Sequence, residues 1–103
     1  MAKLRFHNLV VRRKSVSLCS EIYSKLKNFN ECAFKSQITR SVLSISSNIA
    51  EGFDRESDKE GIRFLIYAQG SGGELRSQLY VGIRINYIIP EDGEYSLKKA
   101  TEI

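Results

Sequence analysis

The chain has 103 residues with one proline, no tryptophan, and 16 Lys/Arg against 12 Asp/Glu, for a net charge of +4. That length fits one domain, residues 1–103, close to the size at which a single core leaves little margin and a partner subunit helps. No run of about 18 apolar residues occurs, and the basic N-terminus reaches Arg12, Arg13 and Lys14 before an apolar stretch of leader length can form. Neither a membrane span nor a signal peptide is therefore expected, and the cytoplasm is the expected location.

Charge is unevenly spread. Residues 1–40 hold nine basic residues against Glu21 and Glu31, a local +7, which leaves seven basic against ten acidic residues and −3 for the remainder. Such polarity suits a polyanion on one face, or a neighbouring subunit's opposite charge. Cys19 and Cys32 read as small hydrophobes. On consecutive antiparallel helices they would sit roughly 10 Å apart along the axis, too far for a disulfide.

In chain order, Asn8 is the expected N-cap of a first helix carrying Leu9, Val11, Val16, Leu18, Cys19, Ile22, Tyr23 and Leu26 and ending near Asn28. A second helix is expected over Glu31–Phe53. Two stripes run along it at helical spacing, an apolar one (Phe34, Ile38, Val42, Ile45, Ile49, Phe53) and a polar one (Gln37, Arg40, Ser44, Asn48, Glu51, Arg55). Short directional groups beside a core stripe point to a face that packs, with its hydrogen bonds answered across the contact. Gly52 suits a C-terminal cap.

Ser57 followed by Glu60 forms a capping box, with Asp58 at the positive end of the helix dipole, so a third helix is expected from Asp58 to about Ile88. After Pro90, residues 91–103 can form only a short fourth helix, weakened by Gly93. No strand alternation competes, and short turns make an up-down antiparallel four-helix bundle with a shortened fourth helix the expected fold, all-α throughout. Folding the second and third helices about residues 56 and 57 sets facing positions to sum to about 114. Ser44 then faces Gly70, Asn48 faces Ile66, and Arg40 faces Glu74 as a register-setting pair inside the bundle.

Motifs for chemistry fail on inspection. The run Gln69–Glu74 resembles a phosphate loop, but Leu75 breaks the glycine pattern and the lysine is missing, so its glycines and Ser71 are read as a close backbone approach. DRESDKEG mimics a calcium loop but has Lys59 at the glycine position and Leu65 at the last acidic one. The lone His7 provides no ligand pair for a metal and no base for a Ser or Cys nucleophile, so no catalytic residue, metal or cofactor is assigned. The strongest binding signal is the basic cluster Arg12, Arg13 and Lys14, with Lys3 and Arg5 nearby, which would neutralise phosphates without reading sequence.

With these residues in view, the chain resembles the four-helix-bundle family of intervening-sequence proteins encoded within some bacterial 23S ribosomal RNA genes, whose fold the accessory variability protein of diversity-generating retroelements shares. Phe6, Leu9, Val11, Lys14, Leu18, Ile22 and Tyr23 fit the family's opening helix. Gln37, Arg40, Ser44, Asn48, Glu51, Gly52 and Arg55 fit its central signature, and Ser57, Glu60, Gly70, Ser71 and Glu74 its third helix. Arg12 stands where the family usually has tryptophan, and the fourth helix is shorter than the family's. The resemblance implies a homo-oligomer, with a pentamer first in line, no catalytic activity, and RNA, DNA or a nucleoprotein as partner. The rival is a protein-binding adaptor or structural ring; an enzyme is the third choice.

Overall fold

A computed structural model of the chain contains four helices, α1 (Ala2–Lys25), α2 (Cys32–Asp54), α3 (Asp58–Arg84) and α4 (Pro90–Thr101). It describes the backbone from Ala2 onward and side chains from Leu9 to Ile103. The helices run up and down in sequence order. α1 packs on α2 and α4, and α3 packs on α2 and α4, so α1 and α3 sit on a diagonal. Leu18, Ile22, Ile38, Val42, Ile45, Ile49, Leu75 and Leu79 fill the core where the apolar stripes meet.

The helix boundaries follow local chemistry. α1 starts at Ala2, so Asn8 lies inside the helix and is not its cap; nothing from Ala2 to Asn8 is a helix breaker, and a single interior Asn costs only a few tenths of a kcal/mol. Glu31 caps α2, its carboxylate accepting the N–H groups of Ala33 (3.3 Å) and Phe34 (2.7 Å). Ser57 Oγ accepts the Glu60 N–H at 3.1 Å, as a capping box requires, while the Glu60 carboxylate turns to Arg63 at 4.0 Å.

α3 ends at Arg84, short of the expected Ile88, because Asn86 adopts a left-handed φ of 63°. The Tyr87 N–H then bonds the Gly82 carbonyl (2.8 Å) and the Asn86 N–H the Ile83 carbonyl (3.2 Å). This pairing is a Schellman termination, with Asn in the place usually taken by Gly. Pro90 opens α4 at its first turn, followed by Glu91 and Asp92, with Lys98 and Lys99 in the last turn, each sign matched to the helix dipole.

The α2–α3 hairpin has the expected register. Ser44 Oγ and Ser71 Oγ share a hydrogen bond at 2.8 Å, and Asn48 Nδ2 donates to the Ser44 carbonyl (2.9 Å) and to its hydroxyl (3.0 Å). Two expectations change. Gly52 is not a cap but a crossing point: a Cβ there would lie 3.0 Å from the Gly61 carbonyl oxygen, and one on Gly61 would lie 2.8 Å from that of Gly52. Arg40 and Glu74 both lie exposed, and no ion pair joins them, so the serines and glycines fix the register instead. An interior ion pair would have had to recover a large desolvation cost, and a hydroxyl pair carries far less of one.

The close approach expected at Gly70 to Gly73 is also absent. A Cβ on Gly70 would meet nothing within 4 Å, and those on Gly72 and Gly73 only the Arg76 guanidinium at 3.6 and 3.9 Å. Gly82 and Gly93 are the tight ones. Gly82 lies beneath Phe34 and Ile88, and Gly93 lets Ile83 of α3 come within 2.5 Å of where its Cβ would stand, so this glycine seats α4 instead of weakening it.

The two ends of the bundle differ. Phe29, Phe34 and Tyr87 close one end through edge-to-face contacts with centroids 5.1 to 6.0 Å apart. At the other end α4 has stopped, and an open apolar groove of about 520 Å³ runs on between α1 and α3 with Ile45 and Ile49 of α2 at its base.

Candidate nucleic-acid interface

Three consecutive basic residues on a helix project roughly 100° apart, so Arg12, Arg13 and Lys14 cannot share one face. Arg12 turns onto α2, where Nη2 meets the Asp54 carboxylate at 2.6 Å and the Ala50 carbonyl at 3.4 Å. That pair stitches α1 to the end of α2. Arg13 points outward, and Lys14 lies on the side of α1 that carries Lys25 eleven residues later. The side chains of Lys3, Arg5 and His7 lie outside the described residues.

Arg13 shares its outward stripe with Leu9, Val16, Ser20 and Tyr23, all exposed and spaced by three or four residues, with Lys27 following in the turn after α1. Arg40 is exposed on α2. Among the described residues Arg13, Lys14, Lys27 and Arg40 form no ion pair, while Glu21 pairs with Lys25 (2.8 Å), Asp54 with Arg12, and Glu51 with Arg55 (2.7 Å). Arg55 also lies over the Phe64 ring at 4.6 Å. Lys27 belongs to this surface although it stands outside the Arg12–Lys14 cluster. Lys27 was legible in the seven-residue spacing from Arg13 through Ser20.

Lys25 is held differently. Burial works against its charge, but the hydrogen bond and Coulomb attraction to Glu21, followed by Asp92 at 3.5 Å, more than offset this and raise its pKa. Burial alone pushes the Cys19 thiol up, away from the reactive thiolate. Cys32 is exposed on the first turn of α2, not a buried hydrophobe as expected, and both cysteines are free. Among the described residues no cluster of His, Cys, Asp and Glu is arranged to hold a metal ion, and no helix is long and apolar enough to cross a membrane.

Of the signature residues, Ser44, Asn48, Ser71, Gly52 and Ser57 build the hairpin, and Glu51 and Arg55 pair on its surface. Gln37, Arg40, Gly70 and Glu74 are exposed. Gly61 was missed, although the sum of 113 for Gly52 and Gly61 fits the expected hairpin register.

This hairpin and the four-helix arrangement around it define a class of small helical bundles. The chain belongs to the 23S rRNA-intervening sequence protein family, whose model matches residues 7–103. A crystal structure of a protein of unknown function from the S23 ribosomal protein family of Bacteroides thetaiotaomicron is similar, with 29% identity, a TM-score of 0.84 and 89% of each chain covered. No curated protein matches the chain.

Proposed function

We propose that this chain is a non-enzymatic, self-associating cytoplasmic bundle that presents a basic surface to nucleic acid, alone or within a nucleoprotein. The observation that carries this reading is the exposed stripe of α1 that carries Arg13 and Lys27 and no acid, with Lys14 and Arg40 exposed and outside any ion pair on neighbouring faces. Lysine and arginine so placed release counterions from a phosphate backbone on binding, which gives affinity with little sequence preference. The exposed Tyr23 ring, 44% accessible beside them, offers a stacking surface to an unpaired base. The family's description ties it to a 23S rRNA intervening sequence, so RNA is the first ligand to test.

Self-association is supported by apolar side chains on two faces, Leu9 and Val16 on α1 and Ile62, Ile66 and Tyr80 on α3, each at least 55% accessible. A closed ring of identical subunits covers such faces without leaving open ends, and five subunits is the proposed state.

Gel-shift titrations of a structured RNA and a duplex DNA across several salt concentrations test the first part. Retention should fall steeply with salt, and replacing Arg13, Lys14 and Lys27 together by Ser should flatten the slope by about two to three units. Absence of retention at low salt favours the adaptor reading. Light scattering coupled to size exclusion tests the second part, where a monomer that melts cooperatively refutes the ring.

A further inference from the structure

Two bonds set how α1 lies along α2. Lys35 Nζ donates to the Lys27 carbonyl at 3.1 Å, and Arg12 Nη2 donates to the Ala50 carbonyl at 3.4 Å. Each joins positions that sum to 62, at opposite ends of the antiparallel pair, so this register holds along the interface. Tyr23 then stands beside Thr39 and Arg40, and Ser20 beside Leu43. Lys27 follows Tyr23 by one turn on the same side of its helix.

The outward faces of the two helices therefore merge into one surface. α2 has no acidic residue from Cys32 to Ala50, about 27 Å of helix. The one acid of α1 between Arg13 and Lys27 is Glu21, which bonds Lys25 on the side of α1 that meets α4. Around Tyr23, 44% accessible, are thus gathered Lys27 and Lys35 at one end, Arg40 from α2, and the exposed Ser20 and Ser36. Leu43, half exposed, continues the face along α2.

A duplex and an unpaired strand would use this surface differently. Duplex phosphates need only charge, and two or three cations make a thin site for them. The bases of an A-form duplex are stacked inside, and its major groove is too deep and narrow for side chains on a flat two-helix face. Tyr23 and Leu43 would then lie against a hydrated backbone. An unpaired strand instead turns its base faces outward, where the Tyr23 ring can stack on one and Leu43 can cover the next.

We propose that the α1–α2 face binds an unpaired nucleic-acid strand, with one base stacked on Tyr23 and the flanking phosphates held by Lys27 and Arg40. The inference rests on the nucleic-acid reading of the basic surface and narrows it to single strands.

The test uses the full chain and two fluorescently labelled RNAs of about twelve nucleotides, a mixed pyrimidine strand without secondary structure and a blunt duplex, read by anisotropy at several salt concentrations. The single strand should bind at least about tenfold more tightly than the duplex. Tyr23→Ser should weaken the single strand about tenfold and leave its salt slope and the duplex binding unchanged, whereas Tyr23→Phe keeps the ring and the affinity. Arg40→Ser should lower the single-strand salt slope by about 0.7 units, the share of one phosphate. Tyr23 and Arg40 are both exposed, so these variants should melt with the parent. A duplex held as tightly as the single strand, with steep salt dependence, would overturn the inference and leave the basic-surface reading standing. So would Tyr23→Ser binding like the parent, Tyr23→Phe binding as weakly as Tyr23→Ser, or a slope unmoved by Arg40→Ser. Retention of neither RNA at low salt would overturn both.

Discussion

Near its start α3 crosses α2 with Gly61 against Gly52, and near its end Gly82 lies under Phe34 and Ile88, whereas the glycines between, Gly70 to Gly73, have open space where a Cβ would stand. The same residue type thus does opposite things within one helix. At the ends it is required by a neighbour that leaves no room for a side chain. In the middle it costs helix propensity and gains no contact within the subunit, about 1 kcal/mol per position relative to Ala. A dense run of glycines is therefore a poorer marker of close packing than isolated glycines that fall at facing positions of a hairpin.

The contrast can be broken by substitution, and the largest effect is expected at Gly61. There a Cβ would lie 2.8 Å from a backbone carbonyl that cannot swing aside, so Gly61→Ala should lose about 2–3 kcal/mol in urea denaturation. Gly82→Ala meets side-chain tips that can shift, and a loss of about 1–2 kcal/mol is expected by the same measurement. In the middle of α3 the sign reverses. Gly73→Ala should gain about 0.5–1 kcal/mol, and a lower melting temperature instead would show that this face packs closely against another molecule in solution.

The smallest effect is expected away from the glycines, where Asp92 holds Lys25. This pair is largely solvated, and Asp92→Asn should cost only a few tenths of a kcal/mol. Its pH dependence has a definite sign. Lys25 is raised above the ordinary lysine value of 10.5, so its contribution is complete below that value and fades as the pH climbs through the higher folded one. Paired melts of the parent and Asp92→Asn should differ at neutral pH and converge in strong alkali.

The period of the apolar stripes and the Ser57 cap were legible in the sequence because each depends on residues within a turn or two of one another, and the hairpin register because the three-residue turn between α2 and α3 fixes which positions face. The end of α3 was legible in principle, since Asn tolerates the left-handed conformation at residue 86, but a continuing apolar pattern through Ile88 and Ile89 masked it. Arg12 was read with Arg13 and Lys14 as one cluster, and only its angular position on α1 separates it toward Asp54. Arg40 and Glu74 face each other in register, yet register places backbones and does not decide whether side chains turn inward. The groove had no local signal at all. It arises because a 12-residue helix packs beside one of 27, a relation visible only when all four helices are in place.

The short α2–α3 turn also has a kinetic consequence. The most extensive helix interface in the molecule joins two segments separated by only three residues, so closing it restricts little chain, whereas α4 must return across most of the sequence to meet α1. The hairpin should therefore form early and α4 should dock last. In native-state hydrogen exchange the order should appear in reverse, with the amides of α4 opening first and those around Val42 and Ile45 surviving until the whole bundle unfolds.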